Sequence, residues 1–215
     1  QVCEMDEIVE WAVARNIKVI EDASQAHLAK HKNEYAGTIG DVGVFSLYPT
    51  KNLGALGDAG VVVTNSEEIN NQIKSLSNYG NTKGNKYNHE RFGLNNRLDE
   101  IQAAILNVNL RYLQTWNNRR KEISNLYFDG LNGLGIKFLQ NQNTNSVWHH
   151  FCILHSERDR LQIDLKKLGI GTEIHYPKLA ALECERFSTT PRNRYPNAEL
   201  IAKETLSLPI SPWHT

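Results

Sequence analysis

The first place in this chain where chemistry could sit is a lysine between two apolar runs. From Phe45 to Gly60 the sequence reads FSLYPTKNLGALGDAG. The run over residues 42–48 predicts a buried strand. Pro49 ends it, because proline cannot donate to a ladder. Residues 60–64, GVVVT, predict a second buried strand. Lys51 therefore falls in a turn with Gly54, Gly57 and Gly60. A lysine that loses solvent there has a lowered pKa and becomes a usable nucleophile. On spacing alone, a solvated turn lysine is the competing reading. The glycines do not form a nucleotide loop, because the Walker pattern places its lysine after the glycines and before a helix.

Upstream, residues 18–27 read KVIEDASQAH. Residues 18–22 predict a short buried strand that Asp22 closes, and open α/β sheets bind ligands at the carboxyl ends of their strands. A carboxylate there can equally cap a nearby backbone amide. Downstream, residues 93–106 read GLNNRLDEIQAAIL and carry Asn95 and Arg97. His27 and His31 have a spacing that could hold a metal, but they lack the glutamate of a zinc-protease motif, and no metal is expected. His149, His150 and His155 fall on or beside a predicted strand. Strand alternation would send them to different faces, so they read as packing and surface residues.

Together these three blocks resemble the DegT/DnrJ/StrS family of nucleotide-sugar aminotransferases, which use pyridoxal phosphate (PLP). The likeness continues more weakly from His175-Tyr176-Pro177 to Leu206-Ser207-Leu208-Pro209. It implies an α/β, aspartate-aminotransferase-like PLP fold (fold type I). A partial large domain with a mostly parallel mixed sheet would occupy residues 1–110. A bridging helix and a small α+β C-terminal domain would occupy residues 111–215. In that family pattern Lys51 is the Schiff-base lysine and proton shuttle. Asp22 is the partner of the pyridinium nitrogen, Ser46 a phosphate donor and Gln25 a contact to the ring. Asn95 reaches the phosphate bound in a neighbouring subunit, which implies a homodimer with a shared active site. His175 and Tyr176 stand toward the substrate, with packing as the alternative role for both. Ser46 could also be a core serine bonded to backbone, and Arg97 reads as structural.

The implied reaction moves an amino group from glutamate or glutamine to a nucleotide-linked keto-deoxysugar, in cell-surface polysaccharide or secondary-metabolite synthesis. A non-catalytic homologue or inert fragment, acting as sensor or partner subunit, is the alternative. The chain departs from the pattern at Leu28, where the family usually has glycine. Residues 178–183 also lack the usual His-x-Gln. Some relatives carry histidine in place of the lysine and act as dehydratases, and Lys51 argues against that here. Family members carry a substantial segment before the position of Gln1, so the sequence reads as a fragment lacking its N-terminal part.

The elements needed to position these residues follow from periodicity. Met5, Ile8, Val9, Ala12 and Val13 form the stripe of an amphipathic helix, with acidic residues in its first turn. Ser66 is placed to cap a helix through Ile69, Ile73 and Leu76. Residues 78–96 read as a long polar loop. From Arg97 a helical pattern runs on to about residue 128, long enough to bridge two domains. Residues 146–154 and 172–176 predict strands. Between them Ser156 caps a helix that ends at Gly169, and a last helix contains Ala198, Ile201 and Ala202.

Bulk properties exclude several classes. The chain has 215 residues with 24 basic and 24 acidic side chains, so nothing points to nucleic acid or an anionic membrane. No run is long and apolar enough for a membrane span. Cys3, Cys152 and Cys184 are too few and scattered for a disulfide framework, which points to a reduced, cytoplasmic setting.

Overall fold

In the computed structural model, which describes residues 2–82, 85–142, 144–179 and 195–214, the chain divides into two units. The first comprises Gln1–Asn117 with Asn145–Val147, the second Asn118–Thr144 with Trp148–Thr215. Cys184 and residues 180–183, part of the departure after Pro177, lie outside the described residues.

The first unit begins with helix α1 (Met5–Val13) and strand β1 (Ile20–Asp22). A small hairpin follows, β2 (Lys30–His31) and β3 (Glu34–Tyr35), then β4 (Val42–Ser46) and β5 (Gly60–Val63). Strands order as β1-β4-β5, with β1 parallel and β5 antiparallel to β4. Asp22 pairs with Val44, and Ser46 with Gly60. The sheet register has a polar lock. The Glu21 side chain is buried and accepts backbone N–H bonds from Gly37 at 2.7 Å, Ile39 at 2.7 Å and Gly40 at 2.6 Å. This satisfies a carboxylate that would be costly to bury alone. Because side chains alternate along a strand, the same placement turns Asp22 to the opposite face.

Helix α2 (Glu67–Leu76) starts where expected, with Ser66 Oγ accepting the Ile69 N–H at 3.3 Å. Three expectations in this unit are corrected. Strands β1 and β5 are not buried runs: Ile20 is 68% exposed, and Val61 and Val62 are each 41% exposed. The polar stretch 78–96 is not structureless. It holds a hairpin, β6 (Asn81–Thr82) and β7 (Asn85–His89), closed by a bridge between Asn78 and Asn95. Its ladder joins polar residues, so no apolar alternation announced it. The long helix from Arg97 is two helices, α3 (Glu100–Asn109) and α4 (Leu113–Leu131). Tight turn bonds, Arg111 N–H to Val108 O and Tyr112 N–H to Asn109 O, separate them. Asn109 lies at that break and spends its side-chain amide on Gly54 O at 2.9 Å.

The division between units falls after Asn117 of α4. The second unit adds β8 (Lys137–Phe138), β9 (Phe151–Leu154), α5 (Arg158–Lys167), α6 (Pro196–Glu204) and β10 (Thr205–Leu208). The strands form an antiparallel sheet ordered β10-β9-β8. Gly169, at φ +78°, sits just past α5 in the left-handed conformation that stops a helix cheaply. Glu157 rather than Ser156 is the N-cap residue of α5. The strand expected over 172–176 is a single bridge, Glu173 to Ser207. The strand expected over 146–154 begins only at Phe151, because Trp148 adopts φ +49° and bends the chain before it.

The core of this unit is aromatic. Phe128 meets Phe138 at 4.7 Å, Phe151 at 5.2 Å and Trp148 at 5.6 Å, ring centre to ring centre and edge to face. Arg120 is buried and donates to Trp148 O at 3.1 Å and to Ile210 O, joining α4 to the strand flanks. Burial without a carboxylate partner lowers its pKa to about 10, so it stays charged near neutrality. Phe128→Ala is expected to destabilise the protein by about 3–5 kcal/mol in denaturant unfolding, from lost transfer energy and a residual cavity. Leu126→Ala, one turn face away and 65% exposed, is expected to change stability by less than about 0.5 kcal/mol.

Candidate active site

Parallel pairing of β1 and β4 brings their carboxyl ends to the same sheet edge. Asp22 ends β1 and Ser46 ends β4. The chain beyond β4 makes a turn, with Lys51 N–H donating to Tyr48 O at 2.9 Å, and then returns to β5. Leu47 N–H bonds Ala59 O and Ala55 N–H bonds Leu47 O, both at 2.8 Å, so the loop folds back on its own strand. Gly54 packs so closely that a Cβ there would lie 2.5 Å from Pro49 O. Only glycine permits that approach.

Lys51 and Asp22 act on each other's charge. Partial burial lowers the Lys51 amine below its ordinary value, and the nearby Asp22 charge opposes this without cancelling it. The Asp22 carboxyl is held below its usual range first by Ser24, through its hydroxyl and its backbone N–H at 3.0 Å. The charge on Lys51 adds to that lowering, against a desolvation penalty. The pair thus consists of an ionised acid and a base whose neutral form is easier to reach than that of a solvated lysine. Such perturbed pairs concentrate at functional sites.

His27 lies beneath. It is 4% exposed, its ring sits 5.5 Å from the Phe45 ring, and neither ring nitrogen has a hydrogen-bond partner. Burial pushes its pKa down to about 4. The nearby Ser46 backbone offsets this slightly without reaching hydrogen-bond geometry, and the Lys51 charge lowers it further. His27 is therefore a neutral imidazole at pH 7. It shares no helix with His31, whose Nε2 instead meets Asp6 at 3.0 Å. Among the described residues no group of three or more His, Cys, Asp or Glu side chains is placed to hold a metal ion.

The other expected site residues are placed as follows. Ser46 Oγ accepts the Tyr48 N–H at 3.4 Å, a long contact that leaves its own proton free to donate. Gln25 is exposed on the turn after Asp22. Asn95 is exposed at the base of the β6–β7 hairpin. Arg97 donates to Asn78 Oδ1 at 2.9 Å and lies over the Tyr79 ring, a structural role. His175 and Tyr176 belong to the second unit. There His175 Nδ1 is 2.9 Å from Ser207 Oγ, and its ring stacks 3.8 Å from that of His150. His149 in turn lies 4.1 Å from His150. The expectation that His149 and His150 point apart is corrected, because both precede β9 and escape strand alternation. Leu28, where the sequence departs from the family pattern, has φ +66°, a conformation that favours glycine.

Several supporting residues carried no recognisable signal in the sequence. Gln102 Oε1 accepts the Leu56 N–H at 2.9 Å and Asn109 holds Gly54, so α3 grips the loop that carries Lys51. Asn52 donates to Asn117 Oδ1 at 2.8 Å and to Val147 O at 2.9 Å. Asn117 donates to His27 O at 2.9 Å. Isolated polar residues give no periodic signal, and these find their partners 46 to 95 positions away.

An amine and a carboxylate near enough for their charges to interact, with a donor hydroxyl at the same edge, fit what PLP requires: an imine-forming amine, an anion for the pyridine nitrogen and a phosphate donor. Comparison with known proteins identifies the family. Residues 1–215 match the model of the DegT/DnrJ/EryC1/StrS aminotransferase family. The chain is 41% identical to a dTDP-3-amino-3,4,6-trideoxy-alpha-D-glucose transaminase of Streptomyces venezuelae, over 97% of this chain and 55% of that protein. It superposes on the crystal structure of S. venezuelae DesV in complex with a ketimine intermediate. There the TM-score is 0.91 and the identity 40%, covering 99% of this chain and 58% of that one. NtdA from Bacillus subtilis with bound cofactor PMP superposes with TM-score 0.80 at 28% identity, over 99% of this chain and 50% of that one. The chain thus spans somewhat more than half the length of the curated relatives it matches. Its fold is that of PLP aminotransferases of fold type I.

The buried neutral His27 generates a pH prediction. Its folded pKa of about 4 lies below the unfolded value of 6.5, so the unfolded chain takes up this proton first as pH falls. His27 therefore withdraws stability between pH 6.5 and about 4. The full withdrawal is at most about 3 kcal/mol. Unfolding free energies measured by urea titration across this range are expected to fall less steeply for His27→Phe than for the parent protein.

Proposed function

From the premise that the chain belongs to the DegT/DnrJ/EryC1/StrS aminotransferase family, we propose that the protein is a PLP-dependent aminotransferase. It moves an amino group from glutamate or glutamine to the keto carbon of a nucleotide-linked deoxysugar. The observation that carries this reading is the placement of Lys51 near enough to Asp22 for each charge to act on the other, in a chain whose residues 1–215 match the family. The donor follows the resemblance, and the sugar class follows it together with the activity of relatives such as the S. venezuelae transaminase.

When bound, PLP supplies an electron sink that stabilises negative charge on the carbon losing a proton. The protein's part is then local. Lys51 would hold the cofactor through its Nζ, and its amine would carry the proton as general base and acid. Its lowered pKa suits that task, because an amine that is mostly protonated can neither attack nor accept a proton. Asp22, ionised at neutral pH, keeps the pyridine nitrogen protonated. Ser46 donates to the phosphate, and Gln25 reaches the ring. Asn95 serves a phosphate in a second copy of the chain, which makes the working enzyme a homodimer with shared sites. His175 and Tyr176 contact substrate. We place the enzyme in the cytoplasm, serving polysaccharide or secondary-metabolite sugar synthesis. Among the described residues no helix is long and apolar enough to cross a membrane.

The test is chemical trapping in the full-length protein. After incubation with PLP and reduction by borohydride, mass spectrometry is expected to find a pyridoxyl group on Lys51. Lys51→Ala is expected to lack this adduct and to lose at least about 1,000-fold in transamination rate, since it removes both the covalent anchor and the proton carrier. Adducts scattered over surface lysines would overturn the reading. Asp22→Asn is expected to keep the adduct but to lose about 100-fold or more in rate, as the ring nitrogen loses its anion.

A further inference from the structure

Lys51 and Asp22 ride on different segments. Strand pairing aligns β1 with β4, but β4 ends at Ser46, and Tyr48, Pro49 and Thr50 after it are exposed. Something beyond the sheet must hold the lysine near the aspartate. The first deeply buried side chain after that exposed stretch is Asn52, next to Lys51 and 3% exposed.

We propose that Asn52 and Asn117 form a buried amide relay that sets the distance between the segment carrying Lys51 and the segment carrying Asp22. Both are positioning residues for the lysine amine. The Asn52 amide donates to Asn117 Oδ1 at 2.8 Å and to Val147 O at 2.9 Å. Asn117, 6% exposed, passes the connection on by donating from Nδ2 to His27 O at 2.9 Å. His27 lies on the chain that leaves Asp22, and its ring packs against Phe45 beside Ser46. The relay therefore closes a loop: Lys51, Asn52, Asn117, His27 and back to the β4 end. The amide orientations agree with one another. Asn52 turns its nitrogen to two acceptor oxygens, and reversing it would face oxygen to oxygen. Two amides in an apolar interior cost free energy unless fully bonded, and an aliphatic pair would fill the same space. What the amides provide instead is direction, because hydrogen bonds fix angles that packing leaves loose.

The inference rests on the reading of Lys51 as the working amine, but its test needs no cofactor. In the full-length, cofactor-free protein, Lys51 is labelled competitively with acetic anhydride across a range of pH and quantified by mass spectrometry against a small-molecule amine. Asn117→Leu removes both links of the relay at similar volume and without a buried charge. Freed from its anchor, Lys51 gains water. Its desolvation is the larger influence on the amine, so the titration midpoint moves up. Labelling of Lys51 at pH 7 is expected to slow at least threefold, a shift of about half a pH unit or more. An unchanged Lys51 profile in a folded Asn117→Leu protein would overturn the relay, since a purely structural asparagine would cost stability without moving that midpoint.

A second measurement covers the case in which the variant does not fold. In the parent protein, hydrogen exchange of the Lys51 amide, bonded to Tyr48 O, is compared with that of Ala29, bonded to Ala26 O. Segments joined by the relay open as one unit, so their opening free energies are expected to agree. Protection differing by tenfold or more would overturn the proposal. Absence of a pyridoxyl adduct on Lys51 defeats the proposed function instead, and leaves the labelling profile to decide the relay separately.

Discussion

The buried carboxylate of Glu21 is the constraint on which the site depends. It gathers three backbone N–H groups from the turn before β4, and in doing so fixes how β1 lies against that strand. Strand geometry does the rest. With Glu21 facing inward, Asp22 must face outward at the end of β1. A slip of one residue would exchange them, turning Asp22 into the turn and Glu21 out to the edge. Adjacent acids of one chemical kind thus take unlike roles, one structural and one electrostatic, because the pleat gives them opposite surroundings.

The electrostatics of the edge then follow from a balance. Lys51 loses some water on folding, which favours its neutral form, while Asp22 favours its charged form. The desolvation wins, and the amine remains below the ordinary lysine value. Asp22 does not depend on Lys51 for its own charge, because Ser24 is the larger influence. An anion secured by a neighbouring hydroxyl and amide can remain ionised while the lysine gains and loses its proton. His27 adds no competing positive charge near neutrality, since its burial keeps the imidazole neutral. The side chains around the pair are accordingly amides, hydroxyls and an uncharged ring, which orient groups without disturbing the titration of the lysine.

Support for the lysine loop comes from several directions within the first unit. Gln102 and Asn109 on α3 bond the backbone at Leu56 and Gly54, and Asn117 bonds the side chain of Asn52. The break between α3 and α4 accompanies this arrangement, with Asn109 at the end of α3 and Asn117 early in α4. In the second unit the equivalent task is packing. Phe128, Trp148 and Phe151 assemble edge to face around α4 and β9, and Arg120 ties the backbone beside them. His175 is held there through Ser207 and the stacked ring of His150.

The candidate site residues could be named from the sequence because their signals are local. Asp22 closes an apolar run, Lys51 follows a proline, glycines space the turn, and three ordered blocks carry the family resemblance. Helices α1, α2, α5 and α6 were legible for the same reason, since a 3.6-residue stripe lies within one segment, joined at α2 by its Ser66 cap. Other features had no local trace. The β6–β7 hairpin lacks apolar alternation, the helical pattern from Arg97 hides a break at residues 110–112, and Trp148 bends the chain where alternation predicted a strand. By itself the sequence determined which side chains could supply an amine, an anion and a phosphate donor. Only the tertiary structure decided that Glu21 is spent on turn amides while Asp22, held by Ser24, keeps its charge at the sheet edge, that His27 is neutral, and that Asn52 meets Asn117. Each of those outcomes depends on burial and on partners distant in sequence, and neither is encoded in any one stretch of chain.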